Sequence, residues 1–298
     1  MNDPDFFIIG LQKSGTYGLS ALLDAHPQIR CLPNHPIHNY SKGKTGADEG
    51  RIFDMLASAG VDGGEALRNS FLNHHGGFFS DLVELIGRVS QDELYDRVKK
   101  RYLEWFDIHN PERKPIVGDK TTEYVFHLDL LDQFFPRAKK LCIIRDSRDR
   151  VVSWYFHQLR KGRTPAKGIS DEFIKDYIEG QIKKEYASLL AYGGYIYCLR
   201  GESLRHNPKL ILSGLLDYLG ADSADGIMES MCQQASFENL RQQEIAYFQE
   251  RGEEPAIKHY RQGKSGEAER QLSPAQNQWI VTSLQDSQTR VLEKYQPV

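Results

Sequence analysis

With 298 residues, the chain is long enough for one large hydrophobic core, or two small ones at most. Its 38 Lys and Arg against 41 Asp and Glu leave a formal charge of −3, so the charge balance demands neither a nucleic acid nor an anionic membrane as partner. Cys31, Cys142, Cys198 and Cys232 form no CxxC pair; their spacing fits neither a zinc site nor a disulfide framework, and they read as reduced, mostly buried thiols.

The first apolar run, Phe6–Ile9, is too short for a signal-peptide core or a membrane span, and the expected compartment is the cytoplasm. Asp5–Ile9 predicts a buried strand closed by Gly10. Thr16–Ala25 predicts a helix with Leu19, Leu22 and Leu23 on one face, ending before Pro27. Residues 33–50 carry Pro, Asn, His, Gly and Lys and read as a long functional loop. A helical stretch is expected over 51–107, strongest at Gln91–Phe106. Pro115–Val117 then predicts a short strand, Thr122–Phe134 a helix, Lys139–Ile144 a buried strand and Ser147–Arg160 a helix. Helices follow around 171–191, a strand at 195–199, and helices at 208–219, 224–233, 237–250 and 274–295, with 251–272 as loop. Alternating strands and helices imply one α/β domain over 1–298, with a four- or five-stranded parallel sheet flanked by helices. Ligands of such sheets bind at the carboxyl ends of the strands, here Gly10, Gly118, Arg145 and Arg200.

The loop after the first strand reads IIGLQKSGTYGLSALLDAHP from Ile8. Consecutive backbone amides and a helix N-terminus make an anion site there, and Lys13 adds a full charge. It is not a Walker A motif, because the lysine lies inside the loop and Thr16-Tyr17 follows Gly15. The Mg²⁺ ligand arrangement of a kinase is therefore missing. GLQKSGT followed by Ala25-His26-Pro27 resembles the sulfotransferase superfamily, whose 5′-phosphosulfate loop has the form G-x-x-K-[ST]-G-T. The first turn is nearer to carbohydrate-type and bacterial members, since Gly18 stands where many cytosolic members carry an aromatic residue, and Tyr17 stands for a Thr.

That resemblance implies a P-loop-like three-layer sandwich and 3′-phosphoadenosine 5′-phosphosulfate (PAPS) as co-substrate, without a metal. It also implies roles for Lys13, Ser14, Gly15, Thr16, Tyr17 and Gly18 around the phosphosulfate. LCIIRDSRDRVVSWYFHQLRKG from Leu141 resembles the 3′-phosphate motif, which implies Arg145 and, eight positions on, Ser153 as ligands of that phosphate. Arg148 and Arg150 read as solvated charges at the start of a surface helix. HYRQGKSGEAERQLSPAQ from His259 resembles the late loop that closes over the nucleotide, implying Arg261, Gln262, Gly263 and Lys264, with Gln262 in place of a lysine. Phe237, within Ala235-Ser236-Phe237-Glu238, is implied to stack on adenine or else starts a helix in the core. Gly201 departs from a Tyr that some members carry near the adenine.

VGDKTTEYVFH from Val117 resembles the segment that supplies a lysine to the sulfuryl or acceptor oxygen, which implies Lys120. Asp119 either orients that lysine, acts as the base, or caps the next helix with Thr121. The general base implied by position is His35, 22 residues after Lys13, with His38 as its rival. The acceptor is expected to be a small molecule bearing a hydroxyl or amine, walled by 33–50 and 51–107. Two alternatives stay open: a P-loop-type nucleotide kinase, and a nucleotide-binding protein whose catalytic site has decayed.

Overall fold

Five short apolar segments lie side by side at the centre of the chain. The computed structural model describes residues 3–32, 53, 56–57, 80–85, 88–164, 167–250, 252 and 266–296. Among these, β1 (Phe6–Ile8), β2 (Ile29–Leu32), β3 (Ile116–Lys120), β4 (Lys139–Ile144) and β5 (Tyr197–Arg200) form a parallel sheet in the order β2-β3-β1-β4-β5. Successive side chains of a strand point to opposite faces. Phe7 and Ile9 therefore enter one core, and Phe6 and Ile8 the other.

One face of the sheet is covered by α1 (Thr16–Asp24), α9 (Pro208–Leu219) and α10 (Asp225–Gln234), through Leu19, Leu23, Leu212, Leu215 and Met231. The other face carries α3 (Gln91–His109), α4 (Leu128–Phe134), α5 (Ser147–Arg160), α6 (Asp171–Tyr177), α7 (Lys183–Ala191) and α13 (Pro274–Tyr295). The shorter α2 (Ser80–Leu85), α8 (Gly201–His206) and α12 (Ala268–Gln271) and the longer α11 (Phe237–Glu250) complete the described helices. Two helical layers thus sandwich the sheet, as the sequence predicts.

Local rules account for the helix ends. Ser90 caps α3 by accepting from the Glu93 amide at 3.2 Å, and Leu94, Val98, Tyr102 and Trp105 then recur at helical spacing on its buried side. Ser273 and Gln276 form a reciprocal capping box ahead of α13, with Pro274 in its first turn. Tyr102 of α3 reaches Phe7 of β1 through a cluster of rings that includes Phe53, Tyr124 and Phe135. Edge-to-face contacts of this kind add about 0.5–1.5 kcal/mol each beyond the buried area.

Several boundaries differ from the sequence reading, for physical reasons. β2 has only four residues with Arg30 at its centre, so no apolar period marks it; Arg30 is held by Asp24 and Glu112. β3 runs on past Val117 to Lys120, because Gly118, Asp119 and Lys120 keep pairing with Phe6, Phe7 and Ile8. Gly118 permits this, since a Cβ there would stand 2.3 Å from the Phe6 ring. The helix expected over Thr122–Phe134 is a 3-10 turn (Thr122–Phe126) and α4, separated at His127. α6 and α7 are joined by a π-helical turn, Ile178–Ile182. α8 and α12 lie in stretches without an apolar period.

Candidate active site

The loop between β1 and α1 continues the pairing of β1 with β4. Leu11 N–H donates to Ile143 at 3.4 Å, and Gly10 accepts from the Ile143 amide at 3.1 Å. The loop then turns through left-handed conformations at Lys13 (φ 64°) and Gly15 (φ 101°). Gly15 is the N-cap of α1 and offers no side chain to its first-turn amides. The positive end of the helix therefore faces the loop, next to Lys13.

The peptide before Lys13 is held from outside. Gln12 N–H donates to Glu185 Oε1 at 3.0 Å. The Gln12 carbonyl accepts from Arg150 Nε at 2.9 Å and from the Tyr177 hydroxyl at 3.4 Å. Arg150 and Glu185 pair with each other and are both fully buried. Burial works against the charge of Arg150, and the Glu185 carboxylate together with Tyr177 and Tyr186 outweighs it, so the guanidinium is held firmly protonated. Arg150 is thus not the solvated charge expected from sequence: the start of α5 lies under α7, and the guanidinium points inward to the loop. Arg148, partly exposed, pairs with Asp146.

Arg145, directly after β4, donates Nη1 to the Lys13 carbonyl at 3.5 Å and Nη2 to Asp149 at 3.2 Å. The Asp149 carboxylate also accepts from the amides of Gly266 at 3.3 Å and Ala268 at 3.1 Å. One buried carboxylate therefore ties together Arg145 and the Gly266–Ala268 segment. Ser153 lies one turn beyond Asp149 on the same side of α5, half-buried. Ser14 Oγ and Arg145 Nε are buried without a hydrogen-bond partner among the described residues. Buried polar atoms are normally paired, so this cradle fits a ligand rich in acceptor oxygens.

Lys120 ends β3 on the α1 side of the sheet. Its ammonium stands 3.3 Å from the centroid of the Tyr17 ring, which links the third strand to the first turn of α1. Asp119 leaves the opposite face. Its carboxylate accepts from the Tyr102 hydroxyl at 2.6 Å and from Thr121 at 3.1 Å, inside the aromatic core. Burial pushes its pKa up to about 6, against the pull of those hydrogen bonds. Asp119 thus bears on Lys120 through the strand they share.

Lys13 itself lies 5.8 Å from the centre of the Trp154 ring. Trp154 stacks on His157 (5.2 Å, 20°) and on Tyr177 (5.1 Å, 14°). The imidazole is pushed down to about 2 by burial, then by the charges of Lys13, Arg160, Lys161 and Arg163. It is neutral across the physiological range.

The structure therefore brings Lys13, Ser14, Gly15, Thr16, Tyr17, Gly18, Lys120, Arg145 and Ser153 to one end of the sheet. A Cβ at Gly18 would meet nothing within 4 Å among the described residues. Gly201 adjoins the loop instead, 3.6 Å from the Ser14 carbonyl measured from its would-be Cβ. Phe237, half-buried, opens α11 behind the Ser236 cap. His35, His38, Arg261, Gln262, Gly263 and Lys264 lie outside the described residues. A cavity of about 460 Å³, with Leu56, Gln91, Tyr95, His127 and Tyr192 in its walls, is a separate feature that none of the loop residues lines. Sequence reasoning missed Glu185, Tyr177, Asp149, Trp154 and His157. Asp149, Trp154 and His157, all on the same helix as Ser153, carried a signal by position; Tyr177 and Glu185 carried none.

The profile of the Sulfotransferase family matches residues 4–225. Sulfotransferase 1A1 of Rattus norvegicus is 28% identical over 122 residues, 38% of this chain and 40% of that protein. Protein-tyrosine sulfotransferase 1 of Homo sapiens is 27% identical over 150 residues, 50% of this chain and 33% of that protein. The chain thus spans less than half the length of these relatives. Among solved structures, a sulfotransferase from Alicyclobacillus acidocaldarius superposes with a TM-score of 0.54 at 16% identity, covering 100% of this chain and 98% of the other. Mouse sulfotransferase SULT7A1, complexed with PAP, gives 0.56 at 15% identity over 96% and 84%. These superpositions establish the fold. No helix among the described residues is long and apolar enough to cross a membrane.

Proposed function

The chain belongs to the sulfotransferase family, and from that premise we propose that it transfers a sulfuryl group from PAPS to a hydroxyl or amine of a small-molecule acceptor in the cytoplasm. The observation that carries this reading is the convergence at one strand end of Lys13, Arg145 and the Gly266 amide, around Ser14 Oγ and Arg145 Nε, which have no hydrogen-bond partner among the described residues. PAPS supplies an activated sulfuryl group on a phosphate leaving group. Everything else falls to the chain's own residues.

Lys13 and the amides of Ser14 to Gly18 hold the 5′-phosphosulfate and stabilise the charge that develops on the leaving oxygen. Arg145 and Ser153 hold the 3′-phosphate, Phe237 the adenine, and Arg261, Gln262, Gly263 and Lys264 cover the nucleotide. Lys120 donates to the sulfuryl or acceptor oxygen after moving off the Tyr17 ring. Asp119 is a positioning residue that fixes the end of β3 and so the stem of Lys120. His35 takes the acceptor proton as the acceptor oxygen bonds to sulfur and the bond from sulfur to the phosphate oxygen breaks in line.

Calorimetry with 3′-phosphoadenosine 5′-phosphate (PAP) in EDTA, paired with transfer from labelled PAPS to a panel of hydroxylated metabolites, tests the reading. Metal-independent binding and transfer are expected; loss of both on chelation would favour a kinase. PAP binding without any transfer would leave only a nucleotide-binding protein. His35→Ala should remove the chemical step and keep PAP affinity; a wild-type rate would move the base elsewhere.

A further inference from the structure

The C-terminal end of α5 is built as a fixed cluster of cations beside Lys13. Trp154, His157 and Arg160 follow at intervals of three residues, so they share one side of the helix. Trp154 stacks on His157, Lys13 lies 5.8 Å from the centre of the Trp154 ring, and His157 Nδ1 accepts from Arg160 at 2.9 Å. Beyond Arg160 the chain is locked. Gly162 is left-handed (φ 66°), its amide donates to Leu159 at 3.0 Å, and the Arg163 amide donates to Gln158 at 2.9 Å. This pair of bonds is a Schellman closure, which folds Lys161 and Arg163 back against the helix end with a defined direction. Both side chains are on exposed residues, while Arg160 is half-buried. His157 senses all of them: the charges of Lys13, Arg160, Lys161 and Arg163 each lower its basicity.

Positive charge on this scale has a use at a site for transfer to an acceptor. The donor anion already has Lys13, the loop amides and Arg145. We propose that the acceptor is itself an anion, a hydroxylated small molecule whose acidic group is held by Arg160, Lys161 and Arg163 while its hydroxyl lies near Lys13 beside the Trp154–His157 pair. This rests on the sulfuryl-transfer reading of the site. Six residues of helix separate Trp154 from Arg160, about 9 Å at 1.5 Å per residue. The hydroxyl and the acidic group should stand roughly that far apart, a spacing that a para-hydroxyphenylpropanoate skeleton spans. The neutral imidazole, with Nδ1 engaged by Arg160, presents a donor on Nε2 between the two ends.

The test uses the full chain, labelled PAPS and a panel of hydroxylated acceptors. Each acceptor is offered as the carboxylate, as its methyl ester and as the corresponding phosphate monoester, at two salt concentrations. Anionic members should exceed their esters in kcat/KM by about tenfold or more, with the advantage shrinking at high salt. The carboxylate and phosphate arms decide which acid the site takes. Lys161→Ala combined with Arg163→Ala, both on exposed residues and leaving Gly162 in place, should raise KM for the anionic acceptor by about tenfold without moving PAP affinity in calorimetry. Equal or better turnover of the esters overturns the proposal. So does a parallel loss of PAP affinity in the double variant, which would assign the cations to the donor. PAP binding with no transfer to any member defeats the sulfuryl-transfer reading on which the proposal stands.

Discussion

Glu185→Ala attacks the clamp behind the loop at its most costly point. The carboxylate it removes is the ion-pair partner of fully buried Arg150 and the acceptor for the Gln12 amide. Stripping one partner from a buried pair costs about 3–5 kcal/mol, because the remaining charge stays desolvated. The orphaned amide adds to this, though not independently. At the size of this chain, that corresponds to a fall in melting temperature on the order of 10 °C. The same change frees the peptide that fixes Lys13 in its left-handed conformation, so PAP affinity should fall about tenfold. Thermal and urea unfolding followed by circular dichroism, with calorimetry for PAP, read the two effects. The pair Arg150→Met with Glu185→Leu separates them. Apolar replacement of a buried ion pair is near neutral for stability, whereas the Gln12 amide and carbonyl still lose their partners. This variant should melt near the wild-type temperature and bind PAP weakly. If Glu185→Ala melts within about 2 °C of wild type and binds PAP normally, the clamp does not hold the loop.

Three further perturbations test other parts of the site and core. Arg145→Ala should weaken PAP binding by about 10- to 100-fold, the value of a charge-assisted contact; normal affinity would refute a role in phosphate binding. Gly118→Ala should destabilise by about 1–3 kcal/mol, because the new methyl meets the Phe6 ring and β3 cannot shift without losing its register; an unchanged urea midpoint would refute the contact. Asp119 has a folded pKa of about 6 against an ordinary value of 3.8, so the native state binds the proton more tightly than the unfolded chain does. Its contribution is fully present below pH 3.8 and is lost as pH rises through about 6. In unfolding measured between those limits, Asp119→Asn should remove a decline of about 2–3 kcal/mol; an identical slope in both proteins would show that Asp119 does not titrate there.

The parts of the fold that the sequence announces are those written in local pattern. KKLCII and the helix after it carry their own period and boundary signals, and β4 and α5 begin and end where these place them. Gly10, Lys13 and Gly15 are legible for a similar reason: a turn through left-handed conformations directly after a strand leaves a dense local signature. What the sequence hides depends on long-range partners. Glu185 meets Gln12 across 173 residues, and nothing around it marks the loop as its target. Arg150 looks like a helix-surface charge until α7 covers it. Asp119 and Lys120 are adjacent in sequence yet serve opposite cores, because β3 extends three residues beyond Val117, where its apolar run ends. β2 is hidden because an arginine occupies the middle of a four-residue edge strand.

The placement of β1 has an implication for how such proteins diversify. Because β1 lies between β3 and β4, Lys13, Lys120, Arg145 and Ser153 all rise from the three central strands or from the loop or helix directly after them. Residues 33–79 depart from the rim strand β2 instead. Apart from His35, the proposed base, and Phe53, which packs on Phe7 and Tyr102, that stretch is free to vary in what it offers an acceptor while the grip on the nucleotide stays with the central strands.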